Sequence, residues 1–66
     1  MQEIRIARIL MGYSQGQLAK LVGVTQGAIS QWEKGLTHPS YKAIPKLSEV
    51  LGISLEELLS TTKKAG

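Results

Sequence analysis

Gln15-Gly16-Gln17-Leu18-Ala19-Lys20-Leu21-Val22-Gly23-Val24-Thr25-Gln26-Gly27-Ala28-Ile29-Ser30-Gln31-Trp32-Glu33-Lys34 holds two short amphipathic segments separated by a glycine-centred break. Ser14 precedes it, and Ser14-Gln15-Gly16-Gln17 matches a capping box: the serine hydroxyl accepts from the N3 amide, and the N3 glutamine reaches back to the cap. A helix therefore starts at about Gln15. Leu18, Ala19, Leu21 and Val22 form its apolar stripe, and Gly23 ends it in the left-handed conformation that glycine enters cheaply. Thr25 is an N-cap by residue type. Ala28, Ile29 and Trp32 make the buried side of a next helix, Gln26 to Lys34, closed before Gly35. The intervening turn is too short for an antiparallel hairpin, so the two helices must cross steeply. Ala19 lets them approach, while Leu18, Val22, Val24, Ile29 and Trp32 fill the wedge between them.

Outward from this pair the same period continues. Ile4, Ile6, Ile9, Leu10 and Met11 place a first helix at about Gln2 to Met11, stopped by Gly12. Leu36 to Ser40 reads as a loop, after which Ile44, Leu47, Val50 and Leu51 return to helical spacing. Proline is harmless only in a first turn, so Pro45 sets the start of the fourth helix between Lys42 and Ile44, with its end at Leu51 before Gly52. Ser54-Leu55-Glu56-Glu57 is a second capping box and opens a fifth helix, Leu55 to Ser60. Strand-like alternation, internal repeats and low-complexity segments are absent from the sequence. The expectation is an all-α fold of five short helices over residues 1–60 and a polar, flexible tail over 61–66.

Sixty-six residues with 42% hydrophobic and 20% charged positions suffice for one small core and leave little room for a large active-site cavity. There is no cysteine, so neither disulfides nor a cysteine-based zinc site can staple the chain. No apolar run approaches the roughly 18 residues of a membrane span, and the first residues do not form a secretory signal. A cytoplasmic protein without membrane attachment is the natural expectation. The net charge is +3, and it is unevenly spread: residues 1–43 carry Arg5, Arg8, Lys20, Lys34 and Lys42 against Glu3 and Glu33. Residues 44–60 instead carry Lys46 against Glu49, Glu56 and Glu57. A polyanionic partner would thus meet the first two thirds of the chain.

On the third helix, Gln26, Gly27, Ser30, Gln31 and Lys34 form one stripe opposite Ala28, Ile29 and Trp32. A merely solvated face usually carries Glu and Lys pairs; this one carries amides, a hydroxyl and one cation, with no acid. Glutamine can pair with adenine N6 and N7, serine with either base edge, and a terminal lysine with phosphate or guanine. The amides at the start of the second helix offer an anion site by backbone geometry. Trp32 lies in the apolar stripe, which favours a core role over base stacking. His38 has no second ligand or carboxylate nearby in sequence, and no nucleophile and base pair, metal cluster or phosphate loop is recognisable. Catalysis, a metal, a cofactor and a small-molecule ligand are therefore not expected. Leu55, Leu58 and Leu59 exceed what one short terminal helix can hide, which makes them candidates for a dimer contact.

Tyr13-Ser14-Gln15-Gly16-Gln17-Leu18-Ala19, Val22-Gly23-Val24-Thr25-Gln26 and above all Ala28-Ile29-Ser30-Gln31-Trp32-Glu33-Lys34-Gly35 resemble the phage repressor and Cro type (XRE) helix-turn-helix proteins. The likeness continues more weakly through Pro39 to Leu59. It implies a compact repressor-like domain that binds operator double-stranded DNA as a twofold homodimer, its third helix in the major groove. By this resemblance Gln26 and Gln31 match base-contacting positions, and with Gly27 and Ser30 of the same stripe they are the candidate base contacts. Ser14, Gln15, Thr25, Lys34, Thr37, His38, Ser40, Lys42 and Arg8 are expected along the DNA backbone. Arg8 and Glu33 match positions that pair between the first and third helices, and Gln15 is placed to brace Gln26. Gly27 departs from the family, which often has a base-touching side chain there, so readout at that position would be weak or would use close backbone approach. The loop after the third helix is poor in arginine, implying a shallow salt dependence of about −0.9 per neutralised phosphate. The expected role is transcriptional repression. An antitoxin or restriction-controller protein with a protein partner, or a helical interaction module, would share much of this pattern.

Overall fold

The computed structural model describes residues 2–63, with side chains described through residue 59. Five α-helices follow one another: α1 (Gln2–Leu10), α2 (Gln15–Val22), α3 (Gln26–Lys34), α4 (Ala43–Leu51) and α5 (Leu55–Lys63). No strand occurs among the described residues. The Ser14 capping box forms in both directions, with Ser14 Oγ accepting from Gln17 N–H at 3.1 Å and Gln17 Oε1 accepting from Ser14 N–H at 2.8 Å. Thr25 Oγ1 accepts from Ala28 N–H at 3.1 Å and starts α3. Between the two, Gly23 adopts φ 86°, a left-handed turn that a Cβ would strain, and its N–H closes on Ala19 C=O. That single residue sets the direction in which α3 leaves α2.

The core is drawn from every helix. Ile4, Leu18, Ile29, Leu47 and Leu58 are its largest fully buried side chains, joined by Ala19, Trp32, Ala43, Ile44, Leu51 and Ile53. Pro45 is the third residue of α4, where its missing N–H would have had no helical acceptor. Ser40 prepares that start, its carbonyl accepting from Ala43 and Ile44 N–H and its hydroxyl from Ala43 N–H. The Ser48 hydroxyl donates to Ile53 C=O and fixes the turn from α4 into α5.

Two expectations need correction. α5 continues to Lys63, three residues beyond the expected end at Ser60, so half of the supposed flexible tail is helical; residues 64–66 lie outside the described residues. Leu58 is 1% exposed and belongs to the core, which removes it from any dimer contact, while Leu59 is half-buried against the core and Leu55 is exposed. A helical period turns each successive residue by about 100°, so three leucines within five positions cannot share one direction. On α1 only Ile4 is fully buried, and Ile6, Ile9 and Leu10 stand exposed on its opposite side.

Candidate nucleic-acid interface

α3 turns Ala28, Ile29 and Trp32 inward, and the 3.6-residue period then brings Gln26, Gly27, Ser30, Gln31 and Lys34 to the outside. Gln26, Gly27, Gln31 and Lys34 are exposed and Ser30 is half-buried, so the residues expected to touch bases do form one open strip. Gly27 is not demanded by packing: a Cβ there would meet only Thr25 Oγ1, at 3.9 Å. Gln26 reaches back over the first turn of α2, its Oε1 3.6 Å from where a Gly16 Cβ would sit. The start of α2 and the start of α3 therefore lie side by side. After the Ser14 cap has used Gln17 N–H and Leu18 N–H, the amides of Gln15 and Gly16 remain in the first turn of α2 without helical acceptors.

Ser14, Thr25, Thr37, His38, Ser40 and Lys42 are all exposed. Two of the residues expected at the DNA backbone, Arg8 and Gln15, are half-buried and bonded within the protein. Arg8 Nε donates to Glu33 Oε2 at 2.6 Å, Nη2 to Glu33 Oε1 at 3.2 Å and Nη1 to Tyr13 C=O at 2.9 Å, which leaves its side chain 13% exposed. The expected Arg8 and Glu33 pair is thus present, but Arg8 acts as a brace between α1 and α3 and not as an open cation. Gln15 Nε2 donates to Glu33 Oε1 at 3.0 Å, so Gln15 ties α2 to α3 through Glu33.

Glu33 is the convergence point, with its side chain only 4% exposed. Burial by itself would raise its pKa; hydrogen bonds from Arg8 and Gln15 and the charges of Arg8 and Arg5 outweigh that and hold the carboxyl below the usual glutamate range. An ion pair with bidentate geometry and a third donor is the arrangement in which a buried charge is best compensated.

One contact had no signal in the sequence. The Thr37 hydroxyl lies 3.4 Å from Gln31 Oε1 and donates to it, and no spacing rule links a loop residue to the helix face it folds against. Among the described residues no group of three or more His, Cys, Asp or Glu could hold a metal ion, and no helix is long and apolar enough to cross a membrane.

Two short helices crossing at a tight glycine turn, with an open polar strip on the second, define a helix-turn-helix unit. The helix-turn-helix family matches residues 4–58, and the chain belongs to it. Among its relatives, the SPbeta prophage-derived HTH-type transcriptional regulator YonR of Bacillus subtilis is 34% identical over 61 residues, covering 92% of this chain and 56% of that protein. Repressor protein C2 of Salmonella phage P22 is 40% identical over 58 residues, covering 88% of this chain and 27% of that protein. The chain thus spans about half of the first relative and about a quarter of the second. The crystal structure of the P22 c2 repressor in complex with a synthetic operator superposes with a TM-score of 0.82 at 38% identity, covering 86% of each chain. The fold is therefore that of the repressor helix-turn-helix domains, and the family is one of transcriptional regulators.

Proposed function

We propose that this chain is a non-catalytic regulator that binds operator double-stranded DNA sequence-specifically, as a repressor and as a twofold homodimer on an approximately palindromic site. The observation that carries this reading is the open strip Gln26, Gly27, Ser30 and Gln31 on α3, free of acids and held rigidly from behind by Arg8, Glu33 and Gln15. A helix face preorganised in this way can enter a major groove and exchange hydrogen bonds with base edges at little ordering cost. Ser14, Thr25, Lys34, Thr37, His38, Ser40 and Lys42, with the first amides of α2, would lie along phosphates on either side. Its place of action would be the cytoplasm, where prokaryotic DNA is accessible. The solved operator complex of the P22 c2 repressor supports the same reading by likeness.

The test is selection of bound duplexes from a random library, repeated with Gln31→Ala. The expected result is an inverted repeat whose half-site preference relaxes at one position in the variant by about 5- to 100-fold. Binding without any preferred sequence that fades uniformly as salt rises would reduce the interaction to charge attraction and overturn the reading.

A further inference from the structure

The chain leaving α3 folds directly back onto the strip that α3 exposes. Gly35 takes φ 77°, and the next amide, Leu36 N–H, donates to Gln31 C=O at 2.9 Å. This bond anchors the loop to the backbone of the residue whose side chain is on display. One residue further, Thr37 Oγ1 lies 3.4 Å from Gln31 Oε1, and the loop is fixed again at its far end by buried Pro39 and by Ser40, which opens α4. The approach of Thr37 to Gln31 is therefore imposed by backbone ties on both sides and is not a chance meeting of two mobile side chains.

An amide whose oxygen is held by a hydroxyl must turn its NH₂ group away from that hydroxyl. For Gln31 this directs Nε2–H to the open face, while a second lone pair on Oε1 remains available. The contact is long and exposed in the unbound chain; exclusion of water by a bound duplex would strengthen it. We propose that Thr37 is a positioning residue for base readout, its hydroxyl holding the Gln31 amide donor-forward so that it selects a purine N7 in the major groove. This rests on the operator-binding reading above. It differs from the expectation that Thr37 touches only the DNA backbone, because a phosphate contact carries no sequence information.

The experiment compares selected sequences and duplex affinities for the wild type, Thr37→Val, Thr37→Ala, Thr37→Ser and Gln31→Ala, with far-UV circular dichroism confirming that each variant folds. Gln31→Ala identifies the base pair that Gln31 meets. The inference expects Thr37→Val and Thr37→Ala to lose about 3- to 10-fold of the preference at that pair alone, Thr37→Ser to keep it, and Thr37→Val to add nothing in a Gln31→Ala background. A 7-deazapurine at that pair should weaken wild-type binding by a similar factor. Equal weakening on every sequence with the preference intact would make Thr37 a phosphate contact and overturn the inference alone, as would no effect. A wild type with no preferred sequence would overturn the operator reading and this inference together.

Discussion

Glu33 shows how an acidic residue can be kept behind an acid-free helix face. Its carboxylate sits behind α3, accepts from Arg8 on α1 and from Gln15 on α2, and leaves no negative charge on the strip facing outward. Because these partners hold its folded-state pKa below the unfolded value, its contribution is fully present above the ordinary glutamate range and is lost as pH falls through that range toward the lower folded value. Glu33→Gln should cost about 1–3 kcal/mol at pH 7, since it removes the charged partner of a mostly buried guanidinium. The same variant should lose less stability than the wild type between about pH 5 and pH 3. Urea midpoints at the two pH values measure both effects. Parallel acid losses in the two proteins would mean that Arg8 and Gln15 do not depress the carboxyl.

At the scale of elements, what could be read in advance was what neighbours in sequence determine. Ser14 and Gln17, Thr25 and Ala28, Gly23 and Ala19 are separated by three or four residues, and their bonds form wherever a helix begins or ends. Those positions delimited α2 and α3 before any packing was known. The bonds of Gln15 to Glu33 and Thr37 to Gln31 depend on how α2 and the loop settle against α3, so residue type alone could place these side chains on the DNA as readily as against the protein. The caps also carry weight in so small a domain. Ser14→Ala removes the acceptor of Gln17 N–H and half of the reciprocal box, which should lower stability by about 1 kcal/mol. The loss should appear as a lower thermal midpoint, with the low-temperature helical circular dichroism unchanged. An unaltered midpoint would show that water replaces the serine without cost at this helix end.

For the whole molecule, the distribution of leucines in α5 separates folding from assembly. Leu58 closes the core beside Ile53 and Leu51, whereas Leu55 is 47% exposed on the outside of the same helix. The sequence showed three leucines but not which way the helix would be rotated against α4, because that angle is set by how the two helices pack together. If two chains meet through α5, the exposed Leu55 can reach across without unpacking the core. Total stability for a chain of this size is about 3–10 kcal/mol, and Leu58→Ala should cost about 2–5 kcal/mol of it. That variant should therefore be substantially destabilised and lose operator binding as a consequence. Leu55→Glu should melt like the wild type but shift sedimentation equilibrium toward monomer and lose the preference for an inverted repeat over a single half-site. A Leu55→Glu variant that sediments as a dimer would move the proposed twofold contact off α5, and the exposed Ile6, Ile9 and Leu10 of α1 would be the next surface to substitute.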